Sequence, residues 1–211
     1  MKLSLSPRLA LLLIAAMFLF PLLLAWLMYS GSVDFKPAST RNLGTLVEPP
    51  LPIDWTVTVM LPGEARLEAG LQQSIGVFGE HWVILRPVPA DCDRSCLKKV
   101  AQLRQVHRAA GRQQMRIRLA LLLKDSSPAD QAQSLLAIYP QFHLLKDPSE
   151  LLWAALDGIQ QNLSGQAGPA WGVYLIDPLG NIMMYYAAGS DPNHIKQDLK
   201  RLLTWSKLDK Q

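Results

Sequence analysis

The 211 residues carry 21 basic and 17 acidic side chains, a formal net charge of +4 that is mild and scattered along the chain. The densest basic stretch, RQVHRAAGRQQMRIR at 104–118, has no aromatic ladder and reads as a solvated helix face running into a strand, which argues against nucleic-acid binding. There is no internal repeat, no Gly-rich phosphate loop and no paired acidic helix, and only two cysteines.

The first element is an apolar run. From Leu9 to Met28 twenty residues pass without a charge. As a helix they would span about 30 Å, the hydrocarbon thickness of a bilayer. The apolar core of a secretory signal is shorter, roughly 7–15 residues, so the run reads as a retained anchor over residues 9–29. Pro21 predicts a kink at mid-span, which a membrane helix tolerates. Trp26 and Tyr29 fall at the far end, where amphipathic rings favour the interface. The amino terminus, Lys2 and Arg8 outweigh the mixed flank of Asp34, Lys36 and Arg41. The positive-inside bias then leaves residues 1–8 in the cytoplasm and carries everything after Tyr29 to the other side, where a disulfide is permitted.

Residues 30–53, with Pro37, Pro49, Pro50 and Pro52, read as a linker, and 54–211 as one domain. DWTVTVML (54–61) predicts a strand, and HWVILRPV (81–88) a buried one. A helix is predicted from Asp93 to Ala110, with Leu97, Val100, Leu103 and Val106 on one stripe and Gly111 as its stop. A strand over 115–123, a helix over 128–138 and a short strand over 142–146 follow. Asp147, Pro148 and Glu150 read as N-cap, first-turn proline and capping-box partner of the next helix. WGVYLID (171–177) and IMMYYAAG (182–189), joined by DPLGN, predict a hairpin. Asp191 and Pro192 open a last helix with Ile195, Leu199, Leu202 and Leu203 on one side. Alternating strands and helices, closed by a hairpin and a helix, make a three-layer α/β domain.

Cys92 and Cys96 acquire an address from this order. Cys92 follows a central strand and Cys96 lies in the first turn of the next helix. Unpaired N–H groups and the positive end of the helix dipole favour a thiolate there, which serves disulfide exchange and soft-metal binding alike. A small structural disulfide remains the alternative. Ser95, between the cysteines, has no His–Asp partner nearby in sequence. His81 and His107 read as ordinary surface residues. Asp177 belongs to a tight turn whose N–H groups its carboxylate can accept.

PADCDRSC at a strand–helix corner, NLGTLVEPPLP ahead of the domain and YLIDPLGNI near its end resemble the thioredoxin superfamily, and within it the Sco/SenC family of membrane-anchored cytochrome c oxidase assembly proteins. The likeness spans most of residues 42–206. It implies a thioredoxin-like domain with a central mixed sheet, behind one transmembrane helix of a bacterial inner membrane and facing the periplasm. It implies a Cys-x-x-x-Cys dithiol, Cys92 attacking and Cys96 resolving, and a partner such as an oxidase subunit or a copper-binding assembly factor. It also implies that both thiolates ligate copper with a histidine from the loop before the Tyr-Leu-Ile-Asp strand. The sequence departs here. Asp93 and Leu97 stand where that family has prolines, Pro169 stands where the histidine belongs, and no histidine lies between His143 and His194. Met183, Met184 and His194 are the nearest soft donors along the chain, each also readable as an ordinary strand or helix position, so copper is disfavoured.

Three roles follow: an assembly factor using the dithiol, a non-catalytic interaction domain with a permanent disulfide, and, third, a general disulfide reductase, for which Cys-x-x-Cys is the usual spacing. The fold predicts cysteine Cα atoms about 4.4–6.8 Å apart. It also predicts that the loop GQAGPAWG (165–172) approaches them.

Overall fold

The structure, a computed structural model, describes residues 6–30, 41–55, 58–61, 77–124, 126–127, 129–165 and 172–206. It divides into two units, 1–41 and 42–211.

The first unit is one helix, α1 (Pro7–Tyr29). Ser6 caps it, its hydroxyl accepting from Leu9 N–H at 3.4 Å, and Pro7 occupies the first turn, where a missing N–H costs nothing. Pro21 lies inside it. None of its residues is buried against protein, and by length and composition it is able to cross a membrane. Apolar side chains at every angle of a helix with no protein cover are what a lipid surround requires.

The second unit is built on a seven-stranded mixed sheet. Its strands are β1 (Thr45–Pro52), β2 (Val59–Met60), β3 (Trp82–Val88), β4 (Ile117–Leu123), β5 (His143–Lys146), β6 (Val173–Ile176) and β7 (Asn181–Tyr186), in the order β1-β7-β6-β3-β4-β5-β2. The central strands β3, β4 and β5 run parallel; β6, β7, β1 and β2 join antiparallel. Between them come α2 (Arg94–Ala109), α3 (Ala129–Ile138) and α4 (Leu151–Ser164), and after β7 comes α5 (Pro192–Trp205).

Alternation along the strands divides the core. Trp82, Ile84 and Val88 of β3 face α2, α3 and α5, where they meet Val100, Leu135 and Leu199. Val83 and Leu85 face the opposite side, against Trp153, Leu156 and Ile159 of α4. A strand covered on both faces must be apolar at every position, which is why β3 and β4 read as unbroken runs. This is the expected three-layer thioredoxin-like architecture.

Four local expectations are corrected. Residues 45–52, read as linker, form β1, paired with β7 from Thr45 opposite Tyr185 to Pro52 opposite Asn181. Its prolines are compatible with an edge strand, which needs N–H groups on one side only. Of the strand expected over 54–61 the described residues show β2 at Val59–Met60, residues 56 and 57 lying outside them; Trp55 instead lies in a turn and stacks on Phe78 at 4.7 Å. α4 begins at Leu151, after Glu150 in the left-handed region at φ 57°. Asp147, only 1% exposed, still serves that helix, its Oδ2 accepting from Leu152 N–H at 2.7 Å and Trp153 N–H at 3.2 Å. The predicted start chemistry was therefore present, three residues ahead of the helix it caps.

His107 is the fourth correction. It is buried on α2. Gln114 C=O accepts from Nε2 at 3.1 Å, which leaves Nδ1 to accept from the Tyr139 hydroxyl at 3.0 Å. Burial, then the Arg118 charge, pull its pKa below 6.5 against backbone hydrogen bonds that raise it. The unfolded chain therefore takes up a proton near pH 6.5 that the native state refuses, and stability falls as pH drops through that value. Urea midpoints measured from pH 7.5 to 5 should decline, and His107→Gln should flatten the decline. A pH-independent wild-type midpoint over this range would contradict the assignment.

Candidate functional site: the cysteine corner

β3 ends at Val88 and α2 starts at Arg94, so five residues turn the chain at the edge of the sheet. Asp93 sets the start of the helix: it is extended (φ −78°, ψ −176°) and its Oδ1 accepts from Cys96 N–H at 2.8 Å. From the first turn of α3, Gln131 Nε2 donates to Pro89 C=O at 2.5 Å, tying that helix to the turn.

Cys92 and Cys96 are joined in a disulfide with Cα atoms 5.3 Å apart, within the range expected. Their exposures differ. Cys96, on the inner face of α2, is 8% exposed, whereas Cys92 is half-buried on the turn. An incoming thiolate can therefore reach Cys92 sulfur more readily than Cys96 sulfur. Ser95 is exposed on the same turn.

Asp93 changes the electrostatics of the corner. A helix N-terminus stabilises an anion with its free N–H groups and dipole, worth about 0.3–1 kcal/mol at an exposed site. Here the Cys96 N–H is already given to a carboxylate adjacent to Cys92. Removing that charge while keeping the cap should favour the thiolate. Asp93→Asn is expected to lower the Cys92 thiol pKa by about half a unit and to make the pair correspondingly more oxidising, with the melting temperature nearly unchanged because Asn caps as well as Asp. A thiol titration with no shift, or a shift upward, would remove Asp93 from the site.

The other candidates lie on β7, at the start of α5 and ahead of β3. Met184 is 1% exposed on β7, opposite Leu175 of β6 and Leu46 of β1, with its sulfur 3.8 Å from the Tyr186 hydroxyl. Met183 is half-buried beside it. His194 is half-buried in the first turn of α5, its N–H donating to Asp191 C=O at 2.9 Å. His81 is half-buried, with Nδ1 2.7 Å from Gly79 C=O. Asp177 holds the β6–β7 turn as expected, accepting from Leu179 N–H at 2.9 Å and Asn181 N–H at 2.8 Å. Pro169 and most of the GQAGPAWG loop lie outside the described residues.

A thiolate pair needs a third soft donor to hold copper(I) in a trigonal site. Among the described residues no three His, Cys, Asp or Glu side chains are grouped to hold a metal, and both nitrogens of buried His107 are already engaged. Residues 166–171, QAGPAW, contain no thiol, thioether or imidazole. Among the described residues the two cysteines are without the third His, Cys, Asp or Glu ligand that a trigonal copper centre needs.

A family model described as transmembrane-like, thioredoxin-like, C-terminal domain matches residues 82–206, from the start of β3 through α5. The chain belongs to this family. Among solved structures it is similar to apo Sco1 from Thermus thermophilus, with 18% identity, a TM-score of 0.54, and coverage of 79% of this chain and 99% of that one. Copper-bound ScoI from Arabidopsis thaliana is 12% identical at a TM-score of 0.48, over 62% of this chain and 89% of that one. BsSco, described as a member of the Sco family of cytochrome c oxidase assembly proteins with a disulfide switch, is also 12% identical at 0.48, over 76% and 100%. At these identities the likeness is one of fold. No curated protein matches the sequence.

Arg86 is a residue that sequence reasoning missed. It is 4% exposed on β3, and burial pulls its pKa down to about 10, still charged at neutral pH. The signal was available: a single charge inside HWVILRPV, at an even position shared with Trp82, Ile84 and Val88, whose side chains enter the helix-covered core.

Proposed function

We propose that this protein is a single-pass membrane protein whose thioredoxin-like domain acts as a dithiol–disulfide partner in assembling the copper centre of cytochrome c oxidase. In this reading residues 1–8 are cytoplasmic, α1 spans a bacterial inner membrane and the domain stands in the periplasm. The observation that carries it is the Cys92–Cys96 disulfide at the strand–helix corner, with one sulfur accessible and the other sheltered. The sequence resemblance to the Sco/SenC family and the fold shared with Sco1 from Thermus thermophilus support the pathway.

In the reduced protein the Cys92 thiolate attacks a disulfide in the partner, forming a mixed disulfide and releasing one partner thiolate. Cys96, deprotonated, then attacks Cys92 sulfur and releases the second. Two electrons leave the Cys92–Cys96 pair, the partner's cysteines become a dithiol able to take copper, and the pair returns to the disulfide. The step needs no resident metal.

A permanent disulfide in an interaction domain is the second reading, favoured by Asp93, whose charge opposes a thiolate at Cys92. The reduction potential of the full-length protein in detergent separates them. A value above about −300 mV supports cycling, and one well below it supports a structural bridge. For copper, the expected result is weak retention: the reduced protein, offered Cu(I) against a strong chelator, should lose the metal. Stoichiometric retention would contradict the ligand inventory above.

A further inference from the structure

Arg86 has no described partner for its charge. Its Nε is buried without a hydrogen bond, and no carboxylate among the described residues pairs with it. An uncompensated cation inside a fold is expensive, and such groups are found paired or facing a ligand.

The guanidinium lines a small cavity between α2, α5 and the end of β7, about 20 Å³, enough for one or two water-sized atoms. Lys99 and Gln102 of α2 and Ser190 add polar groups to its wall, while Leu103 and Ile195 close it on the apolar side. No acidic side chain lines it. Behind the wall residue Tyr186, the buried acid Asp198 is committed elsewhere: it accepts from Leu43 and Gly44 N–H, from the Tyr186 hydroxyl and from Arg201. The cavity therefore presents two cations and neutral donors, with a volume too small for a phosphate ester or a nucleotide.

We infer that this cavity is a binding site for a single carboxylate group, held by Arg86 at its base and Lys99 at its rim. A carboxylate matches the fork of a guanidinium with two parallel hydrogen bonds, its two oxygens entering the cavity while the rest of the ligand stays on the side open to solvent. It can come from a free small carboxylate or from an acidic side chain of a docking protein. The inference does not depend on whether Cys92 and Cys96 cycle.

The test uses the full-length protein in detergent, titrated calorimetrically with sodium formate, with sodium methanesulfonate as the bulkier control anion. Wild type should bind formate saturably with one site, and methanesulfonate should give only the ionic-strength background. Arg86→Met should abolish saturation while remaining as thermostable as wild type without anions, because it removes a buried charge. Lys99→Gln should weaken formate at least threefold. A wild type that never saturates, or an Arg86→Met response equal to wild type, overturns the inference. If Arg86→Met fails to fold, Lys99→Gln decides, and unchanged affinity overturns it. A glutamate-containing tripeptide that competes with formate identifies a protein side chain as a ligand source; formate binding without competition identifies a free carboxylate.

Discussion

Full-length protein carrying Cys96→Ser is expected to accumulate as a mixed disulfide through Cys92, while Cys92→Ser traps nothing. Both variants should lose dithiol–disulfide turnover completely. The chain has only two cysteines, so no other thiol can resolve the intermediate. The asymmetry follows from exposure, since Cys92 is half-buried on the turn and Cys96 lies on the inner face of α2. The stability cost should be small by comparison. The bridge closes a loop of only five residues, for which the chain-entropy model gives about 2 kcal/mol. Non-reducing electrophoresis of the two variants, beside their urea midpoints, therefore separates the two roles. Equal trapping by both variants, or none by either with only the stability loss, would leave a structural bridge as the better reading.

The second large effect is expected at Asp198. This side chain on α5 is 2% exposed and collects four donors: Leu43 N–H at 2.8 Å, Gly44 N–H at 2.9 Å, the Tyr186 hydroxyl at 3.1 Å and Arg201 Nη1 at 3.1 Å. Three of the four come from the entry to β1 and the end of β7, so one carboxylate fastens the first strand of the domain to its last helix. The fit is tight. A Cβ on Gly44 would stand 2.6 Å from the Tyr186 ring, so only glycine passes beneath it. Asp198→Ala deletes the acceptor and leaves two backbone donors and a phenol unsatisfied. Hydrogen bonds to charged groups are worth about 1.5–3 kcal/mol each, and their losses here are shared, so the expected cost is about 3–5 kcal/mol. Asp198→Asn, which keeps an acceptor, should cost roughly half. The Arg201 pair contributes less, since that side chain is 46% exposed and screened by solvent. Urea midpoints measure the cost, and amide exchange at residues 43–46 should accelerate in parallel. A loss below about 1 kcal/mol would show that β1 is held by its pairing with β7 alone.

Several features were determined by the sequence itself, because their causes are local. An uncharged apolar run of twenty residues is a helix able to cross a bilayer whatever follows it. The unbroken apolar character of β3 and β4 announces strands covered on both faces. The order of strands, helices and closing hairpin names the α/β class, and two cysteines between a buried strand and the next helical stripe place a thiol pair at a helix start. Each is a matter of period, composition or short-range capping.

Only the tertiary structure decided the rest, since in each case the partner is far away in the chain. The proline-bearing segment 45–52 is a strand because β7, more than 120 residues later, offers it a ladder; nothing within the segment shows that. His107 is a surface residue by its neighbours in sequence and a buried one once Tyr139 and Gln114 close over it. Asp147 waits three residues before its helix because the chain bends at Glu150. Arg86 could be seen as a charge in a buried strand, but whether it would meet an acid or an open cavity depended on how α2, α5 and β7 come together. The charge is written in the chain; the space in front of it is made by packing.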